Sequence, residues 1–413
     1  MGKTILSKEL IDQGVAVYSA GFSDEPWGYI PSSDVLFGEE TLVVSARGNI
    51  GIPKLPRVHP FVCTQTTIAI SLHDAKLRKY VFYFLKSLDY SPFTSQTTIP
   101  MIRVSDVNEI AVPLFDEVRR ERVVAELEKQ FSRLDEAVAN LQRVKANLKR
   151  YKASVLKAAV EGRLVETEAS LAHREGRTFE NGEQLLQRIL KERRETWKGK
   201  GRYKEPVAQT DDFTIAVPDG WTSATVDQLG SVQLGKMLDK QKHTAGAPYQ
   251  YLRNINVRWG AFDVSDVFEM NFEPDELERF SVRAGDVLVC EGGEPARAAV
   301  WRSKQMDMKY QKALHRVRFD GAYLPDLLVI ALEHLAKSGA LDELYGGSTI
   351  KHFTLETFIK LVLPVPPAAE QARIVAEVDR HLSIIREVEA EVDANLQRAQ
   401  ALRQATLAKA FVV

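Results

Sequence analysis

The feature that most constrains this chain is that it repeats itself. At a single shift of 251 residues, Pro113 falls on Pro364, and Arg122-Val123-Val124-Ala125-Glu126-Leu127 falls on Arg373-Ile374-Val375-Ala376-Glu377-Val378. Without a gap, Thr98-Ile99 lands on Thr349-Ile350, Ile110 on Leu361, and Phe131-Ser132 on Leu382-Ser383. Matches this widely spaced at one shift make the chain two copies of a unit, each variable at its start and helical at its end. A duplicated unit in 413 residues excludes a single core and predicts separate domains.

The helical ends carry a narrow apolar stripe. After Pro113, a natural helix opening, apolar residues stand at Val124, Leu127, Phe131, Leu134, Val138, Leu141, Val144, Leu148, Tyr151 and Val155, in steps of three and four with one stammer around Leu141. The second copy repeats the seam at Val375, Val378, Leu382, Ile385, Val392, Ala399 and Leu402, with charged residues between. A stripe this narrow on so long a helix has no core of its own to enter. The economical partner is the other copy, in an intramolecular coiled coil.

The variable parts read as mixed strand and helix. Thr41–Val44, Thr66–Ile70 and Asp286–Val289 are β-branched or apolar runs between glycine and proline punctuation, and Tyr80–Leu88 and Leu324–Leu335 have helical apolar spacing. Between the copies lies a charged connector with one helical stretch, Glu183–Trp197. The expected organisation is α+β: residues 1–108 and 216–360 as two mixed α/β domains, 109–165 and 361–413 as two long antiparallel helices, and 166–215 as the connector, with an internal pseudo-two-fold repeat.

Composition narrows the function classes. With 45% apolar and 27% charged residues the chain reads as soluble and globular. Its start has no apolar signal core, and its two cysteines, Cys63 and Cys290, have no ligand spacing, so a reducing cytoplasm is the expected location. A balance of 55 basic against 56 acidic side chains means that any polyanion must be held by local patches.

Two patches stand out. From Ala296 to Phe319, Arg297, Arg302, Lys304, Lys309, Lys312, Arg316 and Arg318 face a single acid, Asp307, with Tyr310 and Gln311 interleaved. The first copy has Arg47, Lys54, Arg57 and His59. Either run could be a plain solvated face. Two basic, strand-rich patches on rigid helices suit a ligand with two separated anionic sites, as duplex DNA has. There Arg and Lys hold phosphates while Arg and Gln can read base edges.

Catalytic signatures are sparse. Gly230–Met237 has the glycine and lysine spacing of a phosphate loop, but Met237 stands where a hydroxyl must hold magnesium. A turn with a useful lysine, Lys236, is the better reading. The histidines form no HExxH pair, and no GxSxG or GxGxxG run opens a helix. His243, His315 and His352 read as surface polar residues no less than as anything else, and Glu291 and Glu294 beside Gly292-Gly293 as a turn rather than an acid and base pair. No catalytic residue and no metal site is expected.

Val362-Leu363-Pro364-Val365-Pro366-Pro367-Ala368-Ala369-Glu370-Gln371-Ala372-Arg373-Ile374-Val375 resembles the segment that opens the conserved helix in specificity subunits of type I restriction-modification systems. Val112-Pro113-Leu114 with Arg122-Val123-Val124 is a looser copy. Val217-Pro218-Asp219-Gly220-Trp221 is similar to the start of that family's target recognition domains, and Gly285-Asp286-Val287-Leu288 to an internal strand of them. The resemblance implies two target recognition domains held apart by the paired helices and reading a bipartite double-stranded DNA site. It implies no activity in the chain alone. The implied partners are two modification subunits, which bind S-adenosylmethionine and methylate adenine, and restriction subunits driven by ATP with magnesium.

The first domain departs from this pattern. Thr98 is preceded by 97 residues, whereas 128 positions separate Trp221 from Thr349, and no Pro-x-Gly-Trp run stands near Met1. It is expected to lack an initial strand or two. Helices of about forty residues would make a spacer of roughly 60 Å at 1.5 Å per residue. The DNA-facing candidates are Arg47, Lys54, Arg57, Lys236, Arg297, Arg302, Lys304, Lys309, Gln311, Lys312 and Arg316. The competing expectation is a coiled-coil scaffold whose globular ends bind other proteins.

Overall fold

The computed structural model describes residues 2, 4–93, 101–199, 201–210, 215–237, 246–304, 306–319, 321–347 and 351–412. The matched pairs Thr98-Ile99 and Thr349-Ile350, and His243, lie outside them. By its contacts the chain divides into unit 1, Met1–Lys145 with Ala390–Val413, and unit 2, Ala146–Glu389.

In unit 1, β1 (Val15–Tyr18), β2 (Gly28–Ile30) and β5 (Phe61–Cys63) form one sheet in the order β2-β1-β5, and β3 (Thr41–Ser45), β4 (Pro53–Lys54) and β6 (Thr67–Ser71) a second, β4-β3-β6. Helices α1 (Leu77–Ser87) and α2 (Val104–Asn108) follow. Strand β3 is buried on both faces because side chains alternate along a strand. Leu42 and Val44 enter a core with Tyr80 and Phe84 of α1, while Val43 packs with Ala16, Tyr18 and Phe61 between the sheets.

Unit 2 repeats this plan. Its elements are α4 (Glu168–Glu175), α5 (Gly182–Glu195), β7 (Thr222–Thr225), α6 (Val226–Leu229), β8 (Ser231–Leu234), β9 (Ala247–Leu252), β10 (Val257–Arg258), β11 (Ala261–Phe262), β12 (Phe268–Phe272), α7 (Glu276–Arg279), β13 (Val287–Cys290), β14 (Ala298–Val300), β15 (Lys309–Tyr310), β16 (Leu314–Arg318), α8 (Pro325–Ser338), α9 (Leu355–Ile359) and β17 (Val362–Val365). The sheet β12-β9-β15 has the order and directions of β2-β1-β5, one antiparallel and one parallel pair. Likewise β14-β13-β16 matches β4-β3-β6. Val287 and Val289 pack towards α8 while Leu288 and Cys290 face the other sheet, the same division that β3 makes.

The strands match at slightly different shifts, the pair Leu42↔Ile70 corresponding to Val287↔Val317, whereas Ile102 and Phe353 keep the shift of 251. The Ile102 N–H donates to Ala46 O at 3.0 Å as the Phe353 N–H donates to Glu291 O at 2.7 Å. Unit 2 has more. Strand β8 covers the outer edge of β16, and β7 pairs with β17, with no counterpart of β7, α6 or β8 among the described residues of unit 1.

Helices α3 (Glu117–Val160) and α10 (Ala368–Ala410) run through both units. Within unit 1, Lys145 pairs with Asp393 at 2.7 Å and Asp135 with Arg403, so residue numbers ascend on one helix as they descend on the other. Within unit 2, Tyr151 and His381 hydrogen-bond at 2.8 Å in the same antiparallel sense. The seam residues Leu127, Phe131, Val378, Ile385 and Val392 are buried, and Val124, Leu134, Leu141, Val375 and Leu382 half-buried. Elsewhere the stripe does not follow burial. Leu402 is 55% exposed, and Val144 and Tyr151 are also exposed, whereas Leu407 and Phe411 are buried against Tyr80 and Phe84. There the lobe, not the facing helix, selects which side of α10 is apolar.

The Pro-Pro-x-x-Glu-Gln run has a packing role. Gln371 is fully buried; its Oε1 accepts from the Leu324 N–H at the start of α8 (2.8 Å) and its Nε2 donates to Pro366 O (3.0 Å). Glu370 Oε2 accepts the Glu168 N–H at the start of α4 at 2.8 Å. The carboxylate of Glu168 in turn holds Arg373 at 2.7 Å and Arg177 at 2.6 Å. Two helix N-termini are thus satisfied by adjacent side chains of α10.

Candidate nucleic-acid interface

The proposed basic residues divide by burial. Lys54 is internal: its Nζ donates to Ser19 O at 2.8 Å and Ser23 O at 2.7 Å, and burial pushes its pKa down while Asp24 opposes. Lys236 is internal as well, donating to Asn271 O at 2.9 Å and pairing with Glu276, with its ammonium 4.8 Å from the Phe272 ring centre. Lys309 pairs with Asp307 at 2.6 Å over the Tyr249 ring. Arg316 donates to Ser281 O at 2.7 Å, Arg279 O at 3.1 Å and Gln233 Oε1 at 2.9 Å, and burial lowers its pKa. Arg297 is mostly covered, bound to Glu294 at 2.9 Å and Asn254 O at 2.8 Å. These five cations hold loops together, and their charge is met inside the lobes.

Arg47, Arg57, Arg302, Lys304 and Lys312 are exposed and Gln311 is half-buried. They do not form one patch. Strand β14 runs antiparallel to β13, so Arg302 and Lys304 follow it at the end of the sheet where β13 begins, and Arg302 pairs there with Asp326. Lys312 lies at the opposite end, beyond Cys290. Unit 1 has the same division, with Arg47 beyond the last residue of β3 and Arg57 after β4 at the other end.

The end beyond β13 gathers several turns. The Asn254 side chain donates to Gly292 O at 3.3 Å, the Glu291 N–H to Ala313 O at 2.9 Å, and the Lys312 N–H to Lys236 O at 2.8 Å. A Cβ at Gly292 would sit 3.1 Å from His352 Nδ1, so the two residues lie close together here. Exposed Lys312, Lys351 and His352 and half-buried Gln311, Glu291 and Asn254 share this end. In unit 1 the Ala46 and Arg47 N–H groups reach Thr66 O, Ala20 N–H reaches Thr66 Oγ1, and Arg47 bridges Met101, so that exposed Arg47 and Gln65 stand at the equivalent end. Sequence reasoning missed Gln65, Asn254 and Lys351, and set His352 aside. The repeat could have flagged His352, which the shift of 251 places on Met101.

The phosphate-loop-like run is structural. Residues 231–234 are β8, and Gly235 is needed for close backbone approach, because a Cβ there would meet Gln311 O at 2.2 Å. His315 is fully buried, its Nε2–H donating to Phe353 O. Glu294 accepts from Trp259 Nε1 at 2.7 Å and lies beside Arg297 and Lys337. Burial raises its pKa, but these contacts outweigh it and hold the carboxyl below its ordinary value, the opposite of a proton donor. Among the described residues no three His, Cys, Asp or Glu side chains are placed to hold a metal ion, and no helix is long and apolar enough to cross a membrane.

No protein-family model matches the chain. It is 22% identical over 395 residues to the type I restriction enzyme EcoBI specificity subunit of Escherichia coli, covering 93% of this chain and 75% of that one. It is 24% identical over 201 residues to the EcoKI specificity subunit of Escherichia coli K12, a match that spans 46% of this chain and 42% of that relative. A chain solved in work on complex assembly and conformational transition of the type I R-M system superposes with a TM-score of 0.67 at 14% identity, over 97% of this chain and 92% of that one. In sequence and in fold, the chain is therefore similar to the specificity subunits of type I restriction enzymes.

Proposed function

We propose that this chain is the DNA-sequence recognition subunit of a type I restriction-modification complex in the cytoplasm, reading a bipartite duplex site and having no chemistry of its own. The carrying observation is the duplicated lobe: two pairs of sheets with one topology present the same end, bearing Arg47 and Gln65 in one unit and Lys312, Lys351 and His352 in the other. Exposed cations there suit phosphates, and Gln65, Gln311 and Asn254 have the amide groups that read adenine edges. Two modification subunits carrying S-adenosylmethionine, and restriction subunits using ATP and magnesium, would supply the reaction.

Mapping methylated adenines in a host genome with and without this chain tests the reading. A bipartite motif that disappears with the chain supports it, and an unchanged methylation pattern overturns it. The competing reading, a scaffold whose lobes bind proteins, rests on the near-neutral charge. Salt separates the two. Affinity for DNA carried by several phosphate contacts falls by orders of magnitude between about 50 and 200 mM salt, whereas an apolar protein interface keeps its affinity.

A further inference from the structure

The connector in unit 2 carries a cationic run separate from the basic stretches of both lobes. From Arg188 to Lys204 eight basic residues stand against two acidic ones, Glu192 and Glu195. Its last part, Trp197-Lys198-Gly199-Lys200-Gly201-Arg202-Tyr203-Lys204, has a cation at every second position and no acid. The cations of helix α5 are engaged. Arg188 pairs with Glu180 at 2.7 Å, Lys191 with Glu195 at 3.9 Å, and Arg193 donates to Gln228 O at 2.9 Å. Arg194 pairs with Glu205 and so closes the run into a loop. Within that loop Lys198, Arg202 and Lys204 are exposed and hold no hydrogen bond or ion pair among the described residues, outside which Lys200 lies.

An aromatic side chain stands among these charges. Trp197 is 48% exposed, with the Tyr203 ring edge-on to it at 5.7 Å between ring centres. A Cβ at Gly199 would fall 2.1 Å from Trp197 Cζ2, so the glycine leaves the indole its place against the chain. The loop is rooted away from the end that bears Lys312. The Val207 N–H donates to the Asp227 carboxylate at 2.8 Å and Thr225 Oγ1 donates to Val207 O at 2.6 Å, which ties the chain after the loop to β7 and α6. Helix α6 leads into β8, whose Ser231 pairs with Arg318 at the end of the sheet where β13 begins, whereas Lys312 lies beyond the last residue of β13.

We propose that the loop bearing Trp197, Lys198, Arg202 and Lys204 is a second nucleic-acid site, which takes a single strand without regard to its sequence. The three cations would hold phosphates, and an unpaired base would stack on the indole of Trp197. Such a ligand meets both features at once. A duplex keeps its base faces inside the stack and would leave the indole without a partner. A polyglutamate chain would offer carboxylates to the cations but no planar face to the ring. The proposal is independent of sequence recognition by the two lobes.

The test is a fluorescently labelled oligothymidylate of about fifteen nucleotides, titrated into the full chain and followed by anisotropy at several salt concentrations. Saturable binding is expected. Trp197→Ala should weaken it about tenfold, and Trp197→Phe should restore most of that loss. The triple substitution Lys198→Ser, Arg202→Ser and Lys204→Ser should lower the slope of log affinity against log salt by about 2. All four side chains are exposed, and unchanged circular dichroism checks that the variants fold. No saturable binding, equal affinity in the native chain and Trp197→Ala, or a duplex of the same length or polyglutamate binding as tightly with the same loss in Trp197→Ala would overturn the proposal.

Discussion

The Nε2–H of His315 donates to the carbonyl oxygen of Phe353 at 2.7 Å, with the ring fully buried in unit 2 and 5.3 Å from the Phe358 ring. Burial pushes the imidazole pKa from 6.5 down to about 4, the hydrogen bond opposing the shift. The unfolded chain therefore takes up a proton that the folded one refuses. Stability is complete above about pH 6.5 and declines as pH falls towards 4, by roughly 3 kcal/mol at most. Thermal melts across that window should slope for the native chain and flatten for His315→Gln; equal slopes would refute the assignment.

Lys236 and Lys312 should separate stability from binding. Removing Lys236 takes a buried donor from Asn271 O and a counter-charge from Glu276, so Lys236→Ala should lower unfolding free energy by about 2 kcal/mol. Lys312→Ala should change stability by less than about 0.5 kcal/mol. If the end beyond β13 meets phosphates, Lys312→Ala should also reduce the slope of log affinity against log salt by about 1. Urea denaturation and DNA titrations at several salt concentrations read both.

Gln371→Ala should cost about 2 kcal/mol, because it leaves the Leu324 N–H and the Pro366 carbonyl without the partner they have in a buried site. Gln371→Glu keeps an acceptor for Leu324 and loses the donor to Pro366. An unfolding midpoint for Gln371→Ala equal to that of the native chain would show that the amide fit contributes nothing.

Leu407→Ala and Leu402→Ala test where the stripe ends. Leu407 is 1% exposed and Leu402 55%. The first substitution should cost about 3 kcal/mol and the second less than about 0.5 kcal/mol. Equal effects in denaturant melts would contradict the docking of the last turns of α10 on α1 and β3.

Inserting one heptad into both α3 and α10 should lengthen the gap between half-sites while leaving each half-site sequence unchanged, as mapped by adenine methylation. An unchanged gap would sever helix length from site spacing.

Much of this was legible before any coordinates. The shift of 251 marked the two long helices. The runs at Thr41, Thr66 and Asp286 are β3, β6 and β13 within a residue. Seven cations in one stretch look alike in a string, but the fold separates them. Strand alternation and the reversal at β14 send Arg316 inward, Arg302 to one end and Lys312 to the other.

What the sequence by itself determined is the duplication and the helix pairing, since both rest on periodicities set by local backbone geometry. Tertiary structure alone decided which charges are free. Lys54 and Lys236 are held by carbonyls and, for Lys236, by the Glu276 carboxylate and the Phe272 ring, all brought from distant parts of the chain, and a charge's availability depends on those neighbours, which no local pattern records.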